Sequence, residues 1–348
     1  MRTGIIWVIS VVLLVFLVAA ALFYRGPGTS LTDAEATAIS EISGVDAAGF
    51  TDISGEVISK DIAKKFPAVS KIHRFENLYA FIVEPVAYNG PIKLALVIDG
   101  SLGESIGLRV IEHEETLHYV RDMEQPWFMD RFAGKTVFEY LTMVRLRAQT
   151  KSDIVAITGA TVTTEGVING VNSAFGVFQE SILGRAAEAV PYRVRFEPGQ
   201  SDGPEESESL AIRAYGVVLA EVSLEEIRAL PSVRRTMSIH STAGISQHSF
   251  RGTLLSNILS LVSPELMEQY EWVVAIGVDD YISGINMGEV KAENSVFVMY
   301  GDNDEPLLKR NGEPGALRIV VIDDVFGQRF TNFLLEIVLE NETGFPKE

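Results

Sequence analysis

The sequence predicts an α+β protein in which one N-terminal transmembrane helix precedes two folded domains. Three observations support this: an uncharged segment of about 20 residues near the N-terminus, strand-like and helix-like runs through the remainder, and one polar break between them. A chain of 348 residues is long enough for two domains of roughly 150 residues each. We expect a membrane anchor at 1–25, a first domain at 26–190, a linker at 191–209 and a second domain at 210–348.

Residues 5–24 carry no charge, and a helix of that length crosses a bilayer core of about 30 Å. A cleaved signal peptide is the alternative, because the alanines at 19–21 suit a cleavage site, but its apolar core is shorter, at about 7 to 15 residues. Arg2 precedes the segment and acidic residues follow Arg25, which favours a cytoplasmic N-terminus. We therefore expect a single-pass protein of the cytoplasmic membrane with its domains on the extracytoplasmic side.

The composition excludes several classes of protein. The chain has 47 acidic and 29 basic residues and a formal charge of −18, which repels phosphate backbones, so nucleic acid is not an expected partner. It has no cysteine, which excludes disulfides, thiolate zinc sites, iron–sulfur clusters and c-type haem attachment. The five histidines are scattered along the chain, so we expect no metal site.

The first domain begins with a short polar connector, in which Ser30 or Thr32 is placed to cap a helix that continues through the alanines. From Leu78 onward, strand-like runs are separated by turn residues such as Asn89-Gly90-Pro91, which predicts an antiparallel meander. We expect strands at 78–88, 92–99 and 108–115, and helices at about 57–66, 127–133 and 134–147.

Prolines, glycines and carboxylates replace the apolar periodicity at 191–209, which predicts the linker between the domains. The second domain then reads as a mixed α/β fold, with strands at 210–219, 236–241, 272–278, 295–301, 316–323 and 334–340 and helices at about 223–230 and 253–261.

A strand-to-helix turn is predicted at Thr158-Gly159-Ala160-Thr161. The preceding residues 154–157 are strand-like. After the turn, apolar residues recur with helical spacing, so a helix is expected to begin just beyond the tetrad. Its apolar face comprises Val167, Ile168, Val171, Phe175, Phe178 and Ile182.

Such a turn is suited to bind an anion, usually phosphate, because the first N–H groups of a helix are unpaired and the helix dipole favours negative charge. Gly159 allows the backbone to approach the anion closely, and Ala160 leaves the approach open. The alternative is that Thr163 or Thr164 only caps the helix and Gly159 only serves the turn. Hydroxyl groups are available from Thr158, Thr161, Thr163 and Thr164.

The hexapeptide Thr158-Gly159-Ala160-Thr161-Val162-Thr163 resembles the flavinylation motif of the FMN-binding domain in the membrane-anchored flavin subunits of Rnf-type complexes and sodium-pumping NADH:quinone reductases. The resemblance covers roughly residues 30–183, including the strands at 81–116 and the segment at 125–135. It implies that FMN is joined through its phosphate to Thr161. The remaining residues around the cofactor would then include Thr158, Gly159, Ala160, Thr163 and Thr164.

Two positions depart from the pattern of that family. Val155 stands where the family usually places an aspartate, three residues before the tetrad. The family's His-x-Glu-Thr loop, which lies beside the flavin, begins here with His113, Glu115 and Thr116 but continues as Leu117-His118-Tyr119. The resemblance therefore implies cofactor contacts from His113, Glu115, Thr116 and Leu117, and it leaves residues 117–119 available to pack on the flavin ring.

Residues 210–340 resemble the molybdopterin-binding domain of the sulfite-oxidase-like family, through the Leu-Pro turn at 230–231, the Phe-Arg-Gly at 250–252 and the Glu-Pro-Leu at 305–307. That family holds molybdenum with a cysteine thiolate, which this chain lacks. We therefore expect a degenerate, cofactor-free domain used for docking. Four side chains remain available for polar contacts with some ligand: His240, Ser241, His248 and Arg251.

The sequence supports two hypotheses. In the first, the protein is an extracytoplasmic electron-transfer flavoprotein, a subunit of an oxidoreductase system more than a stand-alone enzyme, with Thr161 as an attachment residue and no catalytic residue. Its partners would be a flavin transferase, a membrane electron donor or complex subunits, and an extracytoplasmic redox acceptor. In the second, it is a membrane-tethered binding or sensory protein whose two domains have lost their cofactors.

Overall fold

The computed structural model describes residues 30–116, 121–194, 208–241, 244–278, 281–322 and 324–344. The predicted membrane span at 5–24, Leu117 and most of the predicted linker lie outside these ranges. Within the described ranges, no helix is both long enough and apolar enough to cross a membrane. The described chain mixes helices with largely antiparallel sheets, as the predicted α+β class requires.

The first domain is built on a five-stranded antiparallel sheet whose strands follow the chain order β1-β2-β3-β4-β5. This is the predicted meander, with two further strands, β1 and β2, before it. The strands are β1 (Thr51–Asp52), β2 (Val69–Phe75), β3 (Leu78–Val83), β4 (Ile92–Asp99) and β5 (Glu104–His113), and the helices that precede or follow them are α1 (Asp33–Ser43), α2 (Ser54–Val57), α3 (Lys60–Lys65), α4 (Pro126–Met129) and α5 (Thr161–Val177).

Helices cover both faces of this sheet. Successive side chains of a strand point to opposite faces, and alternate residues of β3 and β4 accordingly enter two separate apolar cores. Phe81 and Leu96, which pair across the two strands, join the core that includes α5, whereas Ile82 and Ala95 join the core that includes α1. The central strands are therefore buried on both sides, and α5 packs against one face of β3 and β4.

Helix α1 begins where the sequence predicts. Thr32 is its N-cap, and the side chain of Glu35 accepts a hydrogen bond from the Thr32 N–H while Thr32 Oγ1 accepts one from the Glu35 N–H, which forms a capping box. The buried Glu35 carboxylate also accepts a hydrogen bond from Lys71 Nζ at 2.7 Å, which ties α1 to β2. Gly44 ends the helix in a left-handed conformation, with φ of 69°.

The helix predicted at 134–147 is wrong. The segment forms turns and the short strand β6 (Thr142–Val144), which pairs in parallel with β7 (Asp153–Val155). The physical reason is a tertiary one: the buried amide of Asn172, on α5, accepts a hydrogen bond from the Leu141 N–H at 2.8 Å and donates one to the Leu141 carbonyl at 3.0 Å. Of the helix predicted at 57–66, residues 60–65 form α3, which Ser59 caps, whereas Val57 is the last residue of α2.

Helix α5 is buried on nearly all sides, whereas the sequence predicts one apolar face. Glycines make this possible because they let neighbouring segments approach the helix axis. A Cβ on Gly166 would lie 2.7 Å from the Cβ of Ala87, and one on Gly170 would lie 2.9 Å from Cγ of Pro85. The segment 85–87 therefore packs directly against the first turns of α5.

Gly176→Ala is expected to destabilise the first domain. An added Cβ would collide with the ring of Phe66, which is completely buried, and would lie 2.6 Å from the Tyr140 hydroxyl. Overpacking costs about 1–3 kcal/mol, of which the helix preference for alanine offsets roughly 1 kcal/mol. Urea unfolding measures the change. Gly55→Ala, where no atom lies within 4 Å of the new Cβ, is the control, and equal stability changes at the two sites would contradict the prediction.

The second domain consists of two five-stranded sheets that enclose its core. One sheet has the order β13-β12-β17-β8-β9, and in the other β10-β11-β14-β15 is extended by β16 on β14. Among the described strands of this domain only β8 and β17 pair in parallel. Both predicted helices are confirmed, and so are the predicted strands, except that the run at 210–219 is divided between β8 and β9, which pair as a hairpin; β11, β13 and β15 are additional. The strands are β8 (Ser209–Ala214), β9 (Val217–Ser223), β10 (Val233–Ser241), β11 (Gly244–Leu254), β12 (Trp272–Gly277), β13 (Ile282–Asn286), β14 (Val296–Asp302), β15 (Glu305–Pro306), β16 (Arg318–Val321) and β17 (Leu334–Glu340), and the helices are α6 (Leu224–Ala229), α7 (Leu255–Val262), α8 (Leu266–Gln269) and α9 (Met287–Lys291).

Candidate functional site

The turn from β7 into α5 has the predicted strand-to-helix geometry. Gly159 adopts a φ of 73°, a left-handed conformation that favours glycine. Ala160 is the N-cap, with φ of −129° and ψ of 43°, and no side chain caps the helix. Helix α5 begins at Thr161 itself, so the last residue of the tetrad lies in the first helical turn.

Thr164 closes this turn from the inside. Its hydroxyl donates a hydrogen bond to the Ala160 carbonyl at 2.9 Å and accepts one from the Ile157 N–H at 3.0 Å. The side chain is completely buried. Thr164 therefore does not cap the helix, and its hydroxyl holds the two ends of the turn together.

Thr163 is bonded to the loop that the sequence places beside the cofactor. Its hydroxyl donates to Oε2 of Glu115 at 2.6 Å, and Oε1 of Glu115 accepts a hydrogen bond from the Asn89 N–H at 2.7 Å. Glu115 is 5% exposed and Thr163 is 2% exposed. A buried carboxylate requires such donors. Glu115 therefore faces inward and holds α5 against the loop at 113–116.

The neighbouring loop residues are also held in place. Asn89 Nδ2 donates to Oγ1 of Thr116 at 3.1 Å, and the Glu115 N–H donates to Nδ1 of His113 at 3.1 Å. His113 Nε2 lies 3.4 Å from Oε1 of Glu124. The structure thus brings together His113, Glu115 and Thr116 with the threonine motif, as predicted, while Leu117 lies outside the described residues.

Thr158, Gly159 and Thr161 remain partly exposed at the outer side of the turn. Among the described residues, none accepts a hydrogen bond from the N–H groups of Thr161, Val162 or Thr163. The first turn of α5 therefore presents unpaired donors and the positive end of the helix dipole beside the partly exposed Thr161. This arrangement fits a phosphate group.

Glu165 lies four residues after Thr161 and therefore on the same side of α5. It is half-buried, and burial raises the pKa of its carboxyl group above the ordinary value of 4.5. Neither Glu165 nor Asn89 was predicted as a site residue, although the four-residue spacing from Thr161 and the Asn-Gly-Pro turn are both visible in the sequence.

Glu165→Gln is expected to stabilise the cofactor-free protein at neutral pH. The pKa of Glu165 is higher in the folded protein than in the unfolded chain, so the folded protein binds the proton more tightly. The protein therefore loses stability as the pH rises from about 4.5 through the folded-state pKa. The variant avoids this loss. Thermal unfolding from pH 4 to pH 8 should give a higher midpoint than wild type at pH 7 and the same midpoint at pH 4. Glu112→Gln, at an exposed site on β5, is the control, and a pH-independent difference for Glu165→Gln would refute the prediction.

The four polar candidates of the second domain do not converge on one site. In the β10–β11 hairpin His248 pairs with Met237 and His240 with Ile245, so alternation places the two histidines on opposite faces. His248 is bonded to Asp302 at 2.6 Å and to Ser246 at 2.8 Å. Within the described ranges, no three His, Asp or Glu side chains are grouped as metal ligands. Without a cysteine, the chain also lacks the thiolate that molybdenum needs, so its residues do not fit that metal.

The first domain is thus an antiparallel sheet covered by helices, and the unpaired N–H groups at the start of α5 suit a phosphate group. Residues 87–176 match the family model of the FMN-binding domain, and residues 206–344 match that of the oxidoreductase molybdopterin-binding domain. The chain therefore carries an FMN-binding domain followed by a molybdopterin-binding-type domain, and both resemblances are confirmed.

A search of curated proteins found no match. Among solved structures, the crystal structure of the sulfane dehydrogenase SoxCD from Paracoccus pantotrophus matches with 16% sequence identity and a TM-score of 0.32. The match covers 44% of this chain and 42% of the SoxCD chain, so this chain spans less than half the length of that one.

Proposed function

We propose that this protein is a membrane-anchored electron-transfer flavoprotein that carries FMN covalently through a phosphoester to Thr161. The observation that carries the proposal is a partly exposed Thr161 in a helical turn with unpaired N–H groups, inside a segment that matches the FMN-binding family. A flavin transferase supplies the FMN group from a flavin adenine dinucleotide. The Thr161 oxygen bonds to the FMN phosphorus, the pyrophosphate P–O bond of the dinucleotide breaks, AMP leaves, and the hydroxyl proton passes to the solvent.

The residues around Thr161 have distinct roles in this proposal. The N–H groups at 161–163 stabilise the phosphate charge, and Gly159 leaves the backbone open to it. Thr163 and Glu115 fix the loop 113–116 against the helix. FMN supplies the redox chemistry when bound, and the protein determines its position and surroundings. Thr161 is an attachment residue, and no residue of the chain acts as a catalytic acid or base.

The proposed compartment gives the covalent bond a physical purpose. The uncharged segment 5–24 anchors the chain, and the two domains lie on the extracytoplasmic side. A cofactor released there would be lost, whereas a phosphoester tether removes the dissociation equilibrium. Electrons then pass from a membrane donor, or from other subunits of a complex, to an extracytoplasmic acceptor, and the cofactor-free second domain serves for docking.

The test is the intact mass of the purified protein after expression with and without a flavin transferase. We expect an increment of one FMN and flavin fluorescence that persists in a denaturing gel, both only when the transferase is present. A protein that gains no increment with an active transferase would refute covalent attachment. That result would favour the second hypothesis, a tethered binding or sensory protein without cofactors.

A further inference from the structure

The two domains meet at the side chain of Arg131, which binds backbone carbonyl groups of both. Its Nη1 donates to the Val155 carbonyl of the first domain at 3.0 Å, and its Nη2 donates to the Gly344 carbonyl at the end of the second domain. The guanidinium lies over the ring of Trp127, 4.6 Å from its centroid. Burial lowers the pKa of Arg131 to about 10, so the group stays charged at neutral pH.

Gly344 is held from a second side as well. Its N–H donates to the Leu146 carbonyl at 2.7 Å, so both of its backbone polar groups are bonded to the first domain. A Cβ added at Gly344 would lie 2.8 Å from the Cβ of Val155, closer than real Cβ atoms approach. Only glycine therefore allows the chain to lie this closely against β7.

An apolar contact accompanies these hydrogen bonds. Alternate residues of β12 point to the core of the second domain, and the others point away from it into a separate cluster against which Leu146 of the first domain packs. Glu340, at the end of β17, pairs with Trp272 of this cluster. Burial raises the pKa of its carboxyl group, and the charge of Arg147 from the first domain partly offsets this rise. The apolar cluster comprises Trp272, Val274, Ile282 and Val338, with Leu146 and Ile276 at its margin.

We propose that the second domain docks in cis on the FMN-binding domain through this Arg131 interface, and that Val155 is the buried side chain on which Gly344 packs. Val155 is 3% exposed, and a carboxylate there would be desolvated against a backbone segment. The contact also restrains the strand that enters the attachment turn, since the Val155 carbonyl lies three residues before Thr158. Docking does not depend on whether FMN is attached.

The absence of cysteine from the chain allows a direct test by crosslinking. In the double variant Val155→Cys with Gly344→Cys, a small displacement of the C-terminal segment brings the two Cβ atoms to the roughly 3.8 Å of a disulfide. Mild oxidation should give an intramolecular disulfide, seen as faster migration in a non-reducing gel and as one linked peptide pair by mass spectrometry. The two single variants are controls. No disulfide, or only one between chains, would overturn the proposal.

Small-angle scattering of the cofactor-free protein tests the same interface without new covalent bonds. Arg131→Gln and Val155→Asp, the latter placing a carboxylate against Gly344, should each increase the radius of gyration because the domains separate. Arg74→Gln is the matched control, since Arg74 also binds a carbonyl, that of Glu76, and covers a ring, that of Tyr79, but within one domain. An unchanged radius for Val155→Asp, with circular dichroism showing a folded protein, would contradict the role assigned to Val155. Because neither test uses flavin, failure here is distinguishable from failure of covalent attachment.

Discussion

Thr161→Ala is expected to abolish covalent FMN attachment completely. The substitution removes the hydroxyl oxygen that forms the phosphoester. The hydroxyls of Thr163 and Thr164 are buried and bonded within the protein, and Thr158, although partly exposed, precedes the helix start with its unpaired N–H groups. The side chain of Thr161 makes no hydrogen bond in the described structure, so the fold should tolerate the change within about 0.5 kcal/mol. Intact mass after expression with a flavin transferase measures the loss.

Two matched variants separate chemistry from structure in this experiment. Thr161→Ser keeps a hydroxyl at the same place and should retain the FMN increment. Thr158→Ala removes the other partly exposed hydroxyl of the tetrad and should also retain it, because Thr158 is outside the helix start. An FMN increment that persists in Thr161→Ala, or disappears equally in Thr158→Ala, would show that the attachment residue is misassigned.

Glu115→Ala is expected to destabilise the first domain on the order of 2 kcal/mol and to reduce FMN attachment. It leaves the buried Thr163 hydroxyl and the Asn89 N–H without their acceptor, and an unsatisfied buried donor costs about 1–3 kcal/mol. The loop at 113–116 also loses its connection to α5. Urea unfolding measures the stability, and the fraction of protein with an FMN increment measures attachment.

Glu115→Gln provides the control for this variant. The amide keeps one oxygen acceptor and nearly the same volume, so Glu115→Gln should lose only about half as much stability as Glu115→Ala. If Glu115→Ala unfolds at the same urea concentration as wild type, the carboxylate has no positioning role. If instead Glu115→Gln loses attachment while its stability is retained, Glu115 acts on the cofactor directly.

Several elements could be predicted because their cause lies within a few residues. The capping box of Thr32 and Glu35, the alternation in β4 and the positive φ of Gly159 all follow from neighbouring residue types. The domain families were recognisable for a related reason, since the tetrad and the spacing of strands and turns are local patterns. The helix predicted at 134–147 does not form, because Asn172, which is distant in sequence, binds the backbone of Leu141.

The sequence by itself determined the two domain types, the antiparallel meander of the first domain and the turn that presents Thr161. Only the tertiary structure decided that Thr163 is buried and bonded, because its partner Glu115 lies 48 residues away in the sequence. It also decided the contact between the domains, because the carbonyl of Gly344 lies 213 residues from Arg131. Residue patterns report the backbone's local preferences. They do not report which buried donors and acceptors meet after folding, and those contacts determine what remains free at the attachment site.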